Sequence, residues 1–252
     1  MVKSFSDHFS GVALAYASWR PRYPEKLFTY LQSLVSRRAL AWDCAAGSGQ
    51  ATIPLASRFD RVIGTDISAS MLSQAPPHPK VEYRVAPAHS SGLPDAAVDL
   101  VTVAQALHWL NTDDFYLEAR RVLADHGVLA VWTYGVQHVA EPNVDRELGR
   151  FYRDVLGPYW PADRRHVEAG YRTLPFPFAE LETPGFTMEE HWTLPRLLGY
   201  LRTWSATQRF RDQKGHDPVD TFEHDLAALW GDPTREQVIR WPLSLRVGRK
   251  PL

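Results

Sequence analysis

Two features have residue types that suit ligand binding: a short glycine-containing segment and an aspartate that follows it along the chain. The segment from Asp43 to Gln50 has the sequence DCAAGSGQ and joins an apolar run to a helix-like stretch. Gly47 and Gly49 allow the backbone to approach a ligand and to adopt conformations that a Cβ would hinder. The helix that follows presents free N–H groups to an anion. Asp66 stands at the end of the next strand-like run, where a carboxylate suits the two hydroxyl donors of a ribose.

This combination predicts a nucleoside-containing ligand, although a tight strand-to-helix connection alone would explain the glycines. A dinucleotide fingerprint requires Gly or Ala where this chain has Thr52. Asp43, which precedes the glycines, would repel a pyrophosphate and suits a cationic amino group instead. An NAD-dependent oxidoreductase is therefore disfavoured. The sequence contains no G-x-x-x-x-G-K-[ST] stretch, which argues against phosphoryl transfer.

Several stretches resemble the motifs of class I S-adenosylmethionine-dependent methyltransferases, over about residues 9–135. The first motif of that family, D-x-G-x-G-x-G, is similar to the segment from Asp43 to Gly49, in which Ala45 replaces the first glycine. The later motifs resemble, in order, TDISASML, VAPAHSSGLP, AVDLVTVAQALHWL and HGVLAVWTYG. Among type 11 methyltransferases, the leader FSGVALAYASWRPRYP is most similar to the trans-aconitate methyltransferase subgroup. The resemblance implies S-adenosylmethionine as the cofactor and methyl transfer as the activity.

The resemblance also implies which residues form the cofactor site. Asp66 would hold the ribose, and Ile67 and Met71 would flank the adenine. Ala88 would offer its backbone N–H next to Pro87, which replaces a frequent acid. Tyr16 and Arg20 would fold over the cofactor as part of an N-terminal lid. The full predicted set comprises Asp43, Ala45, Gly47, Gly49, Asp66, Ile67, Met71, Ala88, Gln105, Tyr16 and Arg20.

His108 is the candidate catalytic residue, because it follows the fourth strand-like run beside the expected position of the methyl group. An imidazole can act as a general base, which is needed when the methyl acceptor is a neutral phenol or amine. The favoured alternative is a structural role, in which His108 hydrogen-bonds the loop or shapes the pocket. Gln105 is expected to contact cofactor or substrate. The sequence AQALHW lacks the N/D-P-P-Y run associated with methylation of adenine or amide nitrogens, so we expect a small-molecule acceptor and O-methylation of a carboxylate or hydroxyl.

The elements that must position these residues alternate between strand-like and helix-like patterns. This alternation predicts a Rossmann-like α/β fold, with a seven-stranded, mostly parallel sheet, an antiparallel last strand and helices on both faces. The predicted strands cover residues 39–46, 61–68, 80–88, 97–105, 126–135, 186–194 and 238–250. The predicted helices include residues 24–35, 112–124, 145–157, 195–206 and 221–231. Thr112 is the expected cap of its helix, and Pro242 should limit the start of the last strand to an edge or a bulge.

Three segments are expected within this one fold. Residues 1–36 would form the N-terminal lid and first helix, and residues 37–135 the S-adenosylmethionine-binding core. Residues 136–252 would supply a helical cap and the closing strands. The cap is the part in which we expect a methyl acceptor to be held.

Composition and charge narrow the possible partners. The 252 residues are 44% hydrophobic and carry 28 basic and 29 acidic side chains, so neither nucleic acid nor an acidic membrane is an expected partner. The single cysteine, Cys44, excludes an internal disulfide, and the histidine spacing disfavours a metal site. The start of the chain lacks a signal-peptide pattern, so the cytoplasm is the expected compartment. A non-catalytic nucleotide-binding regulator of the same fold is the alternative to an enzyme.

Overall fold

The structure is a computed structural model that describes residues 19–250. Its first half alternates strands and helices, as the sequence pattern predicts. The strands are β1 (Leu40–Cys44), β2 (Arg61–Asp66), β3 (Val81–Val85), β4 (Val98–Ala104) and β5 (Leu123–Tyr134). The helices are α1 (Glu25–Ser33), α2 (Thr52–Ala56), α3 (Ala69–Leu72) and α4 (Thr112–Val122), with a 3₁₀ turn at Leu107–Trp109 between β4 and α4.

The second half contributes more helices and the remaining strands. The helices are α5 (Pro142–Arg150), α6 (Arg164–Glu168), α7 (Leu194–Arg202), α8 (Ser205–Lys214) and α9 (Pro218–Trp230). A π-helical turn (Phe151–Val155) continues α5, and a 3₁₀ turn (Gly157–Tyr159) follows it. The strands are β6 (His138–Val139), β7 (Ala179–Leu181), β8 (Phe186–Trp192) and β9 (Gln237–Arg249).

In the described part of the chain, nine strands form one sheet with the path β3-β2-β1-β4-β5-β9-β6. The pairs among β1 to β5 are parallel, and β9 runs antiparallel to every neighbour. Because β5 and β6 lie on one side of β9 while β7 and β8 lie on the other, the nine segments fill seven positions. The predicted mostly parallel, Rossmann-like sheet with an antiparallel last strand is confirmed.

Pro242 lies within β9, at a position with a neighbouring strand on one side only. On the β8 side, Pro242 is opposite Thr187. On the other side, the pairing with β5 ends at Leu243 and the pairing with β6 begins at Arg240. A missing backbone N–H is tolerated here because Pro242 falls where β9 has no neighbour on one side.

Two apolar clusters cover the two faces of the sheet. Alternate residues of β5 divide between them, as the two-residue period of a strand requires. Val128, Ala130, Trp132 and Tyr134 join the cluster that contains residues of α1, α2, α5, α7, α8 and α9. Leu129 and Val131 join the cluster that contains α4 and Tyr171. The second half therefore packs on both faces of the sheet.

Two local predictions are wrong. Asn111, and not Thr112, occupies the cap position of α4, and its side chain makes no cap hydrogen bond. The single helix expected over residues 195–206 is two helices, because the chain leaves helical geometry at Trp204 before α8 begins. Among residues 19–250, no helix has the length and apolar character to cross a membrane.

Candidate active site

The glycine loop, residues 45–49, joins β1 to the helical region that begins at Thr52. Three alternate residues have left-handed backbone conformations, with φ of +57° at Ala45, +54° at Gly47 and +80° at Gly49. Internal hydrogen bonds fix this path, since the Ala46 N–H donates to the Thr65 carbonyl and the Gly49 N–H to the Ala46 carbonyl. Ala45 thus adopts the conformation that glycine usually supplies, although its Cβ makes that conformation unfavourable.

Gly49 lies against a side chain from β3. A Cβ built on it would lie 2.5 Å from the Tyr83 hydroxyl oxygen, closer than real Cβ contacts come. A Cβ on Gly47 would instead meet the Met71 methyl group at 3.5 Å, an ordinary contact. The two glycines therefore differ: both need a left-handed backbone, and Gly49 also needs the missing side chain.

Asp66 connects the glycine loop to the segment after β2. Its Oδ2 accepts a hydrogen bond from the Gly47 N–H, and its Oδ1 accepts one from the Ser68 N–H, each at 2.9 Å. Ser68 caps α3, since its hydroxyl accepts from the Met71 N–H as expected. Asp66 remains half-buried at the carboxyl end of β2, where its carboxylate can meet a hydroxyl pair.

Apolar side chains beside Asp66 form the other part of this surface. Ile67 is 41% exposed directly after β2, and Val85 is 62% exposed at the end of β3. Met71 is buried beneath the glycine loop. Ala88 is half-buried in the segment that follows β3. Exposed branched side chains at two adjacent strand ends offer an apolar wall to a flat ring.

Asp43 lies beneath the glycine loop, not on its surface. The side chain is 1% exposed, and its two oxygens accept hydrogen bonds from the hydroxyls of Thr52 (2.6 Å) and Thr102 (2.8 Å). Burial raises the pKa of Asp43 to about 6, although both hydroxyls oppose the rise. The direct contact with an amino group that the sequence suggested is not available to a carboxylate held in this way. Thr52, which breaks the dinucleotide fingerprint, serves as a partner of Asp43.

The side chain of Gln105 is bonded to the end of β5. It has a left-handed backbone conformation (φ +57°) directly after β4. Its Oε1 accepts hydrogen bonds from the Thr133 hydroxyl and the Tyr134 N–H, and its Nε2 donates to the Tyr134 carbonyl. The amide group thus joins the ends of β4 and β5, which is a different role from the ligand contact expected of it.

His108 lies in the 3₁₀ turn that follows β4 and is held on two sides by aromatic rings. Its Nδ1 is 2.9 Å from the Tyr171 hydroxyl oxygen, and its ring centroid is 4.6 Å from that of Trp109. Burial, and then the positive charges of Arg164 and His166, lower the pKa of His108 to about 3. An imidazole with so low a pKa is neutral at physiological pH and is a weak base. The general-base hypothesis is therefore disfavoured.

Arg20 approaches the opposite side of β5. It donates hydrogen bonds to the Tyr134 hydroxyl (3.4 Å) and to the Thr203 carbonyl (3.2 Å), and its guanidinium lies 5.5 Å from the ring centroid of Tyr200. It therefore links the N-terminal segment to β5 and to the end of α7. Tyr16, its predicted companion, lies outside the described residues.

The structure adds residues that the sequence could not indicate. Tyr83, Tyr171 and Arg164 reach the site from β3, from the turn after α6 and from α6 itself. Each lies far along the chain from the residue that it contacts, and none belongs to a recognisable spacing. Val85 could have been identified from the sequence, since an apolar residue near the end of the predicted strand 80–88 can be exposed to a ligand.

The chain is similar in sequence and in fold to known methyltransferases. A family model described as a methyltransferase domain matches residues 42–131. A Dictyostelium discoideum protein that bears a methyltransferase name is 32% identical over 225 residues, 88% of this chain and 86% of that protein. A solved structure described as a type II methyltransferase from Anaeromyxobacter dehalogenans has a TM-score of 0.86 and 46% identity, and the match covers 92% of this chain and 98% of the other. The chain belongs to the methyltransferase family.

The methyltransferase is of class I and its cofactor is S-adenosylmethionine. Haemonchus contortus phosphoethanolamine N-methyltransferase 2, solved with S-adenosylhomocysteine and phosphomonomethylethanolamine, shares the fold, with a TM-score of 0.51 and 17% identity over 100% of this chain and 61% of the other. The strand ends described above suit the cofactor: Asp66 a ribose, and Ile67 with Val85 an adenine ring. When bound, the cofactor supplies a methyl group on a sulfonium. Among residues 19–250, no three His, Cys, Asp or Glu side chains are grouped so that they could hold a metal.

Proposed function

We propose that the methyltransferase transfers the methyl group of S-adenosylmethionine to a carboxylate oxygen of a small molecule. The observation that carries this proposal is the state of His108, the imidazole nearest the predicted methyl position. Its low pKa and its bond to Tyr171 make it a poor acceptor of protons. An acceptor that is already ionised needs no base, whereas a neutral phenol or amine does.

The reaction balances without a proton acceptor when the substrate is a carboxylate. A lone pair of one carboxylate oxygen forms the new O–CH₃ bond. The bond between methyl carbon and sulfur breaks, and its electron pair stays on sulfur. The negative charge of the acceptor and the positive charge of the sulfonium cancel, so no proton is released. The chain's contribution is then to orient the two reactants and to exclude water, which can supply about 7–11 kcal/mol.

A fixed cation near this end of the sheet supports an anionic acceptor. Arg164 acts electrostatically on His108. Arg164 lies 4.6 Å from the ring centroid of Trp160 and donates to the Tyr152 hydroxyl, so the surrounding aromatic residues hold it in place. A guanidinium fixed near a site favours a carboxylate through a charge-assisted hydrogen bond.

We propose that the three segments indicated by the sequence have the three roles expected of them. Residues 37–135 would bind the cofactor, and residues 136–252 would form the acceptor-binding cap in addition to the closing strands. Residues 1–36 would contribute the lid, in which Tyr16 and Arg20 would face the cofactor. The neutral backbone of the glycine loop would contact the cofactor from the core. Ala45, Gly47, Gly49, Asp66, Ile67, Met71 and Ala88 would be the contacts on the core.

The test is transfer of tritiated methyl from S-adenosylmethionine to a panel of acids with matched neutral compounds. Suitable probes are trans-aconitate, benzoate and octanoate, with benzamide and benzyl alcohol as controls. We expect label on acids alone, released by mild alkali as volatile methanol, because only a methyl ester is cleaved in this way. The rate should be nearly constant between about pH 6 and 8, where carboxylates are ionised throughout.

Three outcomes would contradict the proposal. Label that resists alkali would indicate a hydroxyl, nitrogen or carbon acceptor. Tight binding of S-adenosylmethionine without transfer to any compound in the panel or in a small-molecule extract would favour the non-catalytic regulator. Stabilisation of the protein by NAD in place of S-adenosylmethionine would contradict the cofactor assignment as well.

A further inference from the structure

Tyr171 lies in a turn, but both its backbone and its ring are held in place. It has a left-handed backbone (φ +63°), as does Gly170 before it (φ +59°). The Arg246 guanidinium of β9 donates to the Tyr171 carbonyl at 3.0 Å, and the Tyr171 N–H donates to the His166 carbonyl at 2.8 Å. The ring is completely buried in the apolar cluster behind β4 and β5. A non-glycine residue in this conformation carries strain of the kind found at functional sites.

The surroundings of the Tyr171 hydroxyl determine which way its proton points. The hydroxyl lies on a fully buried side chain, and burial raises its pKa, so it keeps its proton at neutral pH. Within residues 19–250, the atom at hydrogen-bond distance from it is His108 Nδ1, at 2.9 Å. Because a buried O–H group without an acceptor is costly, the hydroxyl proton donates to His108 Nδ1.

The second nitrogen of the same ring has different surroundings. A neutral imidazole carries one proton, so an Nδ1 that accepts a hydrogen bond requires the proton on Nε2. Within residues 19–250, Nδ1 is the ring nitrogen with a hydrogen-bond partner, and Nε2 is not one of the buried polar atoms that lack one. Nε2 therefore keeps some accessible surface and can meet a hydrogen-bond partner from outside the described residues.

We propose that Tyr171 is a positioning residue that holds His108 as its Nε2–H tautomer, so that His108 donates a hydrogen bond to the methyl acceptor instead of taking a proton from it. This inference rests on the proposed function in one respect, the carboxylate acceptor. The Nε2–H group binds the carboxylate oxygen that does not attack, and the other oxygen keeps its lone pair for the methyl group. The product ester retains a carbonyl oxygen that can accept the same hydrogen bond.

Burial, and after it the charged groups near His108, keep the imidazole neutral. Arg164 and His166, both on α6, are the charged or titratable residues that act on it. Tyr171 faces it from the following turn, and Arg246 of β9 contacts the backbone of that turn. Burial and a positive neighbour disfavour an imidazolium, so Nδ1 stays unprotonated and accepts the Tyr171 hydrogen bond in the neutral pH range.

Nitrogen NMR of the free protein tests the tautomer directly. The two ring nitrogens of ¹⁵N-labelled histidine have distinct shifts when protonated and unprotonated, and the His108→Gln variant identifies the His108 signals. We expect a single Nε2–H tautomer that does not titrate between about pH 5 and 8. In Tyr171→Phe the tautomers should mix. In Tyr116→Phe, which removes another buried hydroxyl that donates to a backbone carbonyl (Pro175), His108 should be unchanged.

Kinetic measurements with the same acids separate a donor from a base. We expect His108→Gln, which keeps an N–H donor but cannot act as a base, to retain at least about a tenth of kcat, whereas His108→Leu should lose about 100-fold. Tyr171→Phe should lower kcat about 10-fold without changing the Kd for S-adenosylhomocysteine. Thermal melting of each variant verifies that it is folded.

The outcomes distinguish this inference from the proposed function. An Nδ1–H tautomer, a His108 pKa between 6 and 7, or equal loss of kcat in His108→Gln and His108→Leu would overturn the donor role. Methyl transfer to a neutral acceptor, with the NMR result as expected, would overturn the carboxylate acceptor and leave the tautomer assignment standing.

Discussion

The two ends of the site are built in different ways. At the cofactor end, residues 43–49, 66–71 and 85–88 lie at the carboxyl ends of β1, β2 and β3, and each group comes directly after its strand. At the acceptor end, His108 follows β4, but the groups around it come from α6 and from the turn after it. The first end depends on local backbone geometry, and the second depends on contacts between distant parts of the chain.

This difference has a functional consequence. A loop whose shape is set by its own φ angles and by Asp66 can bind the same cofactor in proteins with different second halves. The acceptor end can change whenever the 164–171 region changes, without disturbing the glycine loop. Changes at the cofactor end should therefore alter both stability and cofactor affinity, whereas changes at the acceptor end should alter turnover or acceptor affinity alone.

The largest effect is expected at Gly49, which tests whether the cofactor end of the site depends on its local backbone geometry. Gly49→Ala places a Cβ on a left-handed residue and against the Tyr83 hydroxyl oxygen, so it should lower the free energy of unfolding by about 3–4 kcal/mol. Urea unfolding measures the change. Adding Tyr83→Phe should restore part of the loss, because it removes the atom closest to the new Cβ. If the single variant were as stable as the parent protein, the glycine loop would be more adaptable than its geometry indicates.

The buried carboxylate beneath that loop should make stability depend on pH. The pKa of Asp43 is raised to about 6 by burial, so between about pH 4 and 6 the folded protein binds more protons than the unfolded chain. Stability should therefore fall as pH rises through this range, by up to about 3 kcal/mol. Asp43→Asn should flatten that part of the profile and raise the melting temperature at pH 8. A variant profile parallel to that of the parent protein would show that Asp43 does not titrate in this way.

Asp66 should dominate cofactor affinity. Asp66→Ala removes a carboxylate that holds the Gly47 and Ser68 N–H groups and that we assign to the ribose, so the Kd for S-adenosylmethionine should rise about 30- to 100-fold. Calorimetry measures the Kd. Asp60→Ala is the matched control, because Asp60 is an exposed aspartate at the opposite end of β2. This variant should bind S-adenosylmethionine normally. An unchanged Kd in Asp66→Ala would make the ribose assignment wrong.

The cofactor end of the site was more predictable from the sequence than the acceptor end. The strands β1, β2, β4 and β5 were predictable because buried parallel strands are nearly continuous apolar runs, and the glycine loop because its residue types are constrained by φ. The burial of Asp43 was not predictable, since the sequence shows a carboxylate beside a loop but not that the Thr52 and Thr102 hydroxyls bond to it. Tyr171 was not predictable, because its role depends on two left-handed residues and on Arg246 from the last strand. Position in three dimensions, and not residue type, decides such roles.

At the acceptor end, Arg164 provides the corresponding test. Arg164→Gln removes a cation near His108, and the KM for an active acid should rise about 10-fold, about 1.4 kcal/mol. The Kd for S-adenosylhomocysteine should not change. Arg165→Gln changes the adjacent, exposed residue of α6 and should leave both values as they are. Loss of cofactor affinity in Arg164→Gln would show that the two ends of the site are not independent.

The smallest expected effect is at Ala45, where the chain departs from the family's glycine. Because Ala45 has φ of +57°, Ala45→Gly should relieve strain and raise the free energy of unfolding by about 1 kcal/mol, even though glycine gains freedom in the unfolded chain. Chemical unfolding with and without S-adenosylmethionine measures it. Ala46→Gly, at the next residue, is the matched control and should destabilise, since the left-handed positions are the alternate residues 45, 47 and 49. Destabilisation by Ala45→Gly would mean that the Cβ makes favourable contacts greater than the backbone strain, and that the departure from glycine is itself part of how this loop is held.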